Sequence, residues 1–537
     1  MSVGNVWQNP ILLRTQRQSA RLQRTPWIVL TLVVALTLLV ASVGGIAAES
    51  GDPAAVGTGV FAVFFSMASF FVTTIGAFLG GHALSSEHQG RTWEMLLLTG
   101  LTPRRIVTGK LVSALANVLF YLVALSPISA VAFLFGGVGA IEMLFGFVFL
   151  VALAALSVAF GLAVASAAPQ HGSVWAVLSM VSLFVGLGPF FGWGGAALVQ
   201  AMWPALRGDS PVWWPAAVTR APIDLRYLLF VWAIPTSAFA LPTWLGIELA
   251  VAQVSEPGQD RLYSFKRALL VATAITCAVS CATLVAASDQ DRILASLVFA
   301  FGLHLLLAMA LASLASDDLY PSRRARHDLR TASAGRRLLG PSVLRGSLLF
   351  LFGWMLSLLV VSAVGAYQLV QYSAPSYESA AILVSDLTII PFVLFSTGLL
   401  VFLRSAGRAP MVARLLLAVV VLVLTGAPWV LYAIAGGISH HDSASLLILG
   451  APSPAYAIAM MSTLKNASGD DSQLILGGGM VMALVYLLAG LAFFAAAARR
   501  TRKTEDAELA YQNDVDRRLA EEDRQDAAAA AAAAEGA

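Results

Sequence analysis

Apolar runs long enough to cross a bilayer recur from one end of this 537-residue chain to the other. A membrane-spanning helix needs about 20 mostly apolar residues. In lipid, each such run must satisfy its own backbone hydrogen bonds, which makes it helical. Twelve runs qualify, at 27–48, 58–83, 111–136, 140–168, 173–197, 227–252, 267–288, 293–315, 346–370, 380–403, 414–437 and 473–498. The expected fold class is an all-α polytopic membrane protein with about twelve transmembrane helices. Charge agrees, since Asp, Glu, Lys and Arg make up only 12% of the chain, against roughly 25% in soluble domains.

The first run is longer than the roughly 7–15 apolar residues of a signal peptide and reads as a retained span. The fifth is crowded by Gly186, Gly188, Pro189, Gly192, Gly194 and Gly195. Cys277 and Cys281, four apart in one apolar run, fit small packing residues on one helix face, neither a disulfide framework nor a metal site.

Lysine and arginine orient the chain. With both termini cytoplasmic, 28 of the 33 cations fall in cytoplasmic segments, leaving only Arg207, Arg220, Arg226, Arg292 and Lys465 outside. One missed span would invert everything after it, so the asymmetry supports the count. The expected location is the cytoplasmic (inner) membrane. Residues 1–26 place Arg14, Arg17, Arg21 and Arg24 within about 80° of one another at helical spacing, which reads as a helix lying on an anionic membrane surface. The polar tail, 499–537, reads as a frayed helix or a disordered segment.

The layout repeats. Comparing each of the first six spans with the one six later, the starts differ by 235 to 246 residues. "SPVWW" at 210–214 is echoed by "SPAYA" at 453–457, and each reads as a short helix near the outer face. Six spans is an even number, so the halves (27–252 and 267–498, joined by a linker at 253–266) enter the membrane in the same sense. They form a parallel repeat with a pseudo-two-fold along the membrane normal. If the repeat did not hold, two chains would have to pair.

The loop 84–110 is the most informative. "SSEHQGRTWEMLLLTGLTPRRIVTGK" spends two glutamates, four cations and three glycines between two apolar runs. Gly90 and Gly100 bracket a stretch too short to cross, since ten residues rise only about 15 Å. A short helix starting at Thr92 or earlier and stopping at Gly100 is expected. Its charged edges and apolar side suit either docking into a groove on a soluble partner or lying on headgroups.

This stretch resembles the cytoplasmic coupling region of type-2 ABC transporter permeases. The matching positions are Glu87, Gly90, Thr92, Glu94, Leu96, Leu97, Thr99, Pro103, Gly109 and Lys110. Arg91 and the Gly100-Leu101 pair depart from the family pattern. "NPILLRTQRQSARLQR" at 9–24 is similar to the amphipathic helix with which such permeases begin. The resemblance implies the membrane subunit of an exporter, driven by two separate ATPase subunits that bind this elbow and use ATP and magnesium. The chain itself is expected to bind no cofactor, metal or nucleic acid and to have no catalytic residues. Around Gly109-Lys110, Arg104 and Leu111 fill the places where a phosphate-binding loop needs Gly and Ser or Thr. The second half's counterpart, 316–345, carries seven arginines and lacks the glutamate pattern. It reads as a degenerate second docking surface or as a basic loop on anionic lipid.

Few charges lie within spans: Glu142, Glu248, Asp386 and His304. Such groups are costly in lipid. Asp386 and His304 are candidates for a transport pathway, with pairing to a neighbouring helix the default. A secondary, ion-coupled transporter is the rival function, but it would usually show a relay of buried charges. A membrane enzyme built on His440, His441 and Asp442 lacks metal-site spacing.

Overall fold

The computed structural model describes residues 53–167, 171–172, 174–180, 199–203, 213–255, 260–372, 376–439, 444–457 and 469–535, with scattered positions between 27 and 45. The expected surface helix with Arg14, Arg17, Arg21 and Arg24, part of the first span, most of the fifth, and His440, His441 and Asp442 lie outside the described residues.

The described residues are helical and include no strands. Ten helices are long and apolar enough to cross a membrane. They coincide with the second, third, fourth and sixth to twelfth apolar runs, and these numbers are kept below. Most helices overshoot the apolar run, as span two does over Pro53–Gln89. Span three covers Pro103–Phe135, span four Ala140–Ala167, span seven Tyr263–Ala286, span eight Gln290–Leu311 and span nine Val343–Gln371. Span ten covers Ser376–Ser405 and span eleven Pro410–Ser439. Span twelve does not stop at the membrane. The helix runs from Gly469 to Glu535, so the tail read as frayed or disordered continues it.

Between helices in lipid there is no hydrophobic drive, and close packing of small residues takes its place. Spans two and four meet through glycines. A Cβ on Gly80 would fall 2.3 Å from the Val158 carbonyl oxygen, and one on Gly161 would fall 2.3 Å from that of Ala77. Gly76 sits against Ser157 one turn away. Spans ten and twelve also approach closely, and a Cβ on Gly398 would lie 2.8 Å from the Gly490 oxygen.

Span six begins with a π-helical turn, Tyr227–Ala233, before the α-helix Ile234–Val254. Pro235 is the cause. It has no N–H to donate to the carbonyl four residues back, and its ring crowds that carbonyl. The Ile234 N–H bonds instead to Leu229, five back. The Val231 carbonyl left over accepts from Trp214 Nε1 at 2.7 Å. Trp214 lies in the short helix Trp213–Arg220 that follows the Ser-Pro motif. Later in the chain a 3-10 turn, Ala444–Gly450, precedes the Ser453-Pro454 motif, and Tyr456 donates to the Ile475 carbonyl at 2.8 Å. Both motif aromatics thus fasten to the first turns of the following span.

At that end of the bundle Glu142 is held by Arg220 Nε at 2.6 Å, Thr219 Oγ1 at 3.1 Å and the Gly139 N–H at 3.2 Å. At the opposite end, side-chain bonds tie together residues from 84–110, 253–267, 316–345 and 404–414. The cation-rich segments between spans are therefore collected on one side.

Candidate functional site

The elbow between spans two and three forms a braced corner. Span two ends on a residue pair that crosses its bonds: the Arg91 N–H donates to His88 at 3.2 Å and the Thr92 N–H to Glu87 at 3.0 Å. This is a Schellman ending, which places one residue in the left-handed region. That residue is Arg91, at φ 53°, not the preceding Gly90. Arg91 is therefore the residue that makes the turn.

Thr92 then leads into the elbow helix, Trp93–Leu98. Its hydroxyl donates to Glu87 Oε2, while Lys110 Nζ lies 2.6 Å from Glu87 Oε1. One carboxylate thereby joins the end of span two, the start of the elbow helix and the beginning of span three. Lys110 is 5% exposed and Glu87 14%. Leu96 is buried against Ile106, with Leu101 beside them. Thr99 Oγ1 donates to the Leu96 carbonyl at 2.6 Å, and Gly100, at φ 70°, reverses the chain. Pro103 opens span three, where its missing N–H costs nothing, and Gly109 is buried in it. The side chains of Trp93 and Leu97 lie outside the described residues. Away from this brace, Glu94 is exposed, and Met95 and Leu98 show 69% and 86% of their surface.

A second clamp was not legible in the sequence. Arg104, one residue into span three, reaches Glu248 at the end of span six, with Nη2 to Oε1 at 2.5 Å. The same carboxylate accepts from Ser264 Oγ at 2.6 Å and from Trp244 Nε1 at 3.3 Å. Glu248 is 3% exposed. It links the elbow to span six and to the first turn of span seven. The available signal was an isolated acid at a span end facing the same side as the elbow's arginines.

Two residues on, Lys266 is fully buried and paired with Asp317 at 2.6 Å. Its ammonium also donates to the carbonyls of Leu339 at 3.1 Å and Gly340 at 2.8 Å. Burial pushes the Asp317 carboxyl up from its ordinary range, opposed by Lys266 and by the Ser342 N–H, which donates at 3.0 Å. The Asp317 main-chain carbonyl accepts from Arg404 Nη2 at 3.2 Å. Nearby, both carboxylate oxygens of Asp260 are buried without a hydrogen-bond donor. Burial raises this group to about 6, with Asp317 and Asp318 adding to the rise and Lys266 and Arg336 pulling against it.

Within the spans, Asp386 accepts from Ser362 Oγ of span nine at 3.0 Å. His304 bonds to the Ala300 carbonyl through Nδ1 at 2.8 Å and to Ser357 Oγ through Nε2 at 2.8 Å. A carbonyl can only accept, so Nδ1 carries the proton, and in the neutral ring Nε2 accepts from the serine. Both groups engage neighbouring helices. Among the described residues no cluster of three His, Cys, Asp or Glu able to hold a metal occurs.

Comparison of the chain with known protein families, characterised proteins and solved structures finds no match. The architecture defines a multi-pass helical membrane protein.

Proposed function

We propose that this chain is the transmembrane permease subunit of an ATP-binding cassette exporter, the elbow being the point at which a separate ATPase pushes. One observation carries the reading. The elbow helix is fastened to spans two, three, six and seven by Glu87, Lys110, Arg104 and Glu248, yet turns Glu94, Met95 and Leu98 outward. Force transfer requires this combination, because a loose loop would dissipate the stroke and a fully covered one would offer nothing to grip. The proposed arrangement has twelve spans in two six-helix halves related by a pseudo-two-fold along the membrane normal, with the elbow and both termini cytoplasmic. Trp214 and Tyr456, in the two Ser-Pro motifs but one position out of register, each fasten to the span that follows, and this supports the repeat. Two ATPase subunits would hold ATP and magnesium.

The test is affinity purification of the full chain from its native membrane, with photo-crosslinking by an azido-ATP analogue. Wild type is expected to carry a labelled ATPase chain, and Glu94→Arg to lose it while still eluting as a single symmetric peak in detergent. Absence of a labelled chain from wild type, under conditions that preserve membrane complexes, would remove the proposal.

A further inference from the structure

The basic segment between spans eight and nine holds its cations in an unusual way. It contains two short helices, Arg323–Thr331 and Ala334–Leu338. The first is capped by Ser322 Oγ, which accepts from the Ala325 N–H at 3.2 Å. A surface-seeking helix would turn its apolar side to the bilayer. This one uses its apolar side internally: Ala325 is buried, and Leu329 packs against Gly340. Outward it presents arginines.

In the second short helix and at the start of span nine, Arg337 and Arg345 are positioned by main-chain carbonyls that leave their charge uncompensated, while Arg336 is offset in part by the Asp260 carboxylate. Arg337 donates from Nε to the Ala332 carbonyl at 2.9 Å and from Nη2 to the Arg330 carbonyl at 3.3 Å. Arg345 Nη1 donates to the Arg337 carbonyl at 3.4 Å. Arg336 lies over the Tyr263 ring at 6.0 Å. Among the described residues none of the three has a carboxylate within ion-pair distance. Asp317 is taken by Lys266, and Asp318 by Arg261 at 3.7 Å. A guanidinium has five donors in a fixed fork suited to phosphate oxygens, and most of these remain available here.

The location selects the ligand. Arg345 lies in the first turn of span nine, and the Lys266 bonds pin Leu339 and Gly340 to the first turn of span seven. The cluster therefore sits at the ends of spans seven and nine, next to the apolar run that starts at 346, where a bilayer would place its headgroups. Leu338, next to Arg337, exposes 53% of its surface. We infer that Arg336, Arg337 and Arg345 form a binding site for the phosphate of an anionic glycerophospholipid, whose acyl chains run beside Leu338. The site does not depend on the transport reading. It would anchor the end of span nine and tie the loop to the membrane surface.

The experiment is native mass spectrometry of the full chain in detergent, titrated with dioleoyl phosphatidylglycerol or with dioleoyl phosphatidylcholine. The anionic lipid is expected to bind at least tenfold more tightly. The triple variant Arg336→Gln, Arg337→Gln, Arg345→Gln should lose about 100-fold, from the usual contribution of each cation near a charged surface. The triple lysine variant, which keeps the charge, should stay within about tenfold of wild type. It also serves as the folding control if the glutamine variant is unstable. Equal binding of the two lipids, or full retention by the glutamine variant, overturns the site. So does loss of a co-purifying protein from the glutamine variant with lipid binding unchanged, which would assign the arginines to a protein partner.

Discussion

Replacing Lys110 by methionine should loosen the elbow without disturbing the spans. The Nζ–Oε1 distance is 2.6 Å, and the two side chains are 5% and 14% exposed. Removing one partner of a buried ion pair typically costs 3–5 kcal/mol, because the remaining charge is stranded. Glu87 keeps the Thr92 hydroxyl and some water access, so the low end applies, about 3 kcal/mol. At 1.4 kcal/mol per tenfold, local opening should become roughly 100-fold more frequent. Hydrogen exchange reports this directly at the amides of Thr92, Leu96 and Ile106, which donate to Glu87, Thr92 and Thr102. Adding Glu87→Gln removes the stranded charge and keeps an acceptor for Thr92. The double variant should therefore recover most of the loss, retaining a deficit of about 1 kcal/mol. If exchange at these amides in Lys110→Met stays within twofold of wild type, or if the double variant is as damaged as the single one, the brace does not hold the elbow.

Two further expectations concern packing and pH. Gly80→Ala puts a methyl 2.3 Å from the Val158 oxygen and should destabilise the bundle by about 1–3 kcal/mol. Gly59→Ala in the same span meets nothing within 4 Å and should be neutral or slightly stabilising, as read by unfolding in mixed micelles. Asp260 is raised from 3.8 to about 6, so the folded state holds this proton more tightly than the unfolded chain does. Its neutral form favours folding at low pH, and that advantage is lost as pH rises from about 4 to about 6. Asp260→Asn should accordingly gain stability over wild type across that interval and hold a constant lead above pH 7. A lead that shrinks with rising pH would contradict the assignment.

The spans were legible because length and hydropathy alone decide them. Partners were not, because the side chains that fix the elbow are distant in sequence. Arg104 and Glu248 are 144 residues apart, and no local pattern pairs them. Glu248 reads in isolation as a stray charge at a span end. A positive φ is what glycine takes most easily, yet it falls on Arg91 and not on Gly90, at the corner where Glu87 meets Thr92 and Lys110. The tail was ambiguous for another reason. A charged, alanine-rich run has high helix propensity but nothing to pack against, so composition alone favours neither state.

The π-helical turn at the head of span six reaches further than its seven residues. Each residue of an α-helix advances the azimuth by about 100°. A wider turn inserted at one end therefore re-aims every side chain beyond it, like a twist put into a rod before its far end is bolted down. Trp244 and Glu248, roughly two to four turns below Pro235, inherit that offset. A proline in the upper part of span six thereby contributes to which way a carboxylate points near its far end.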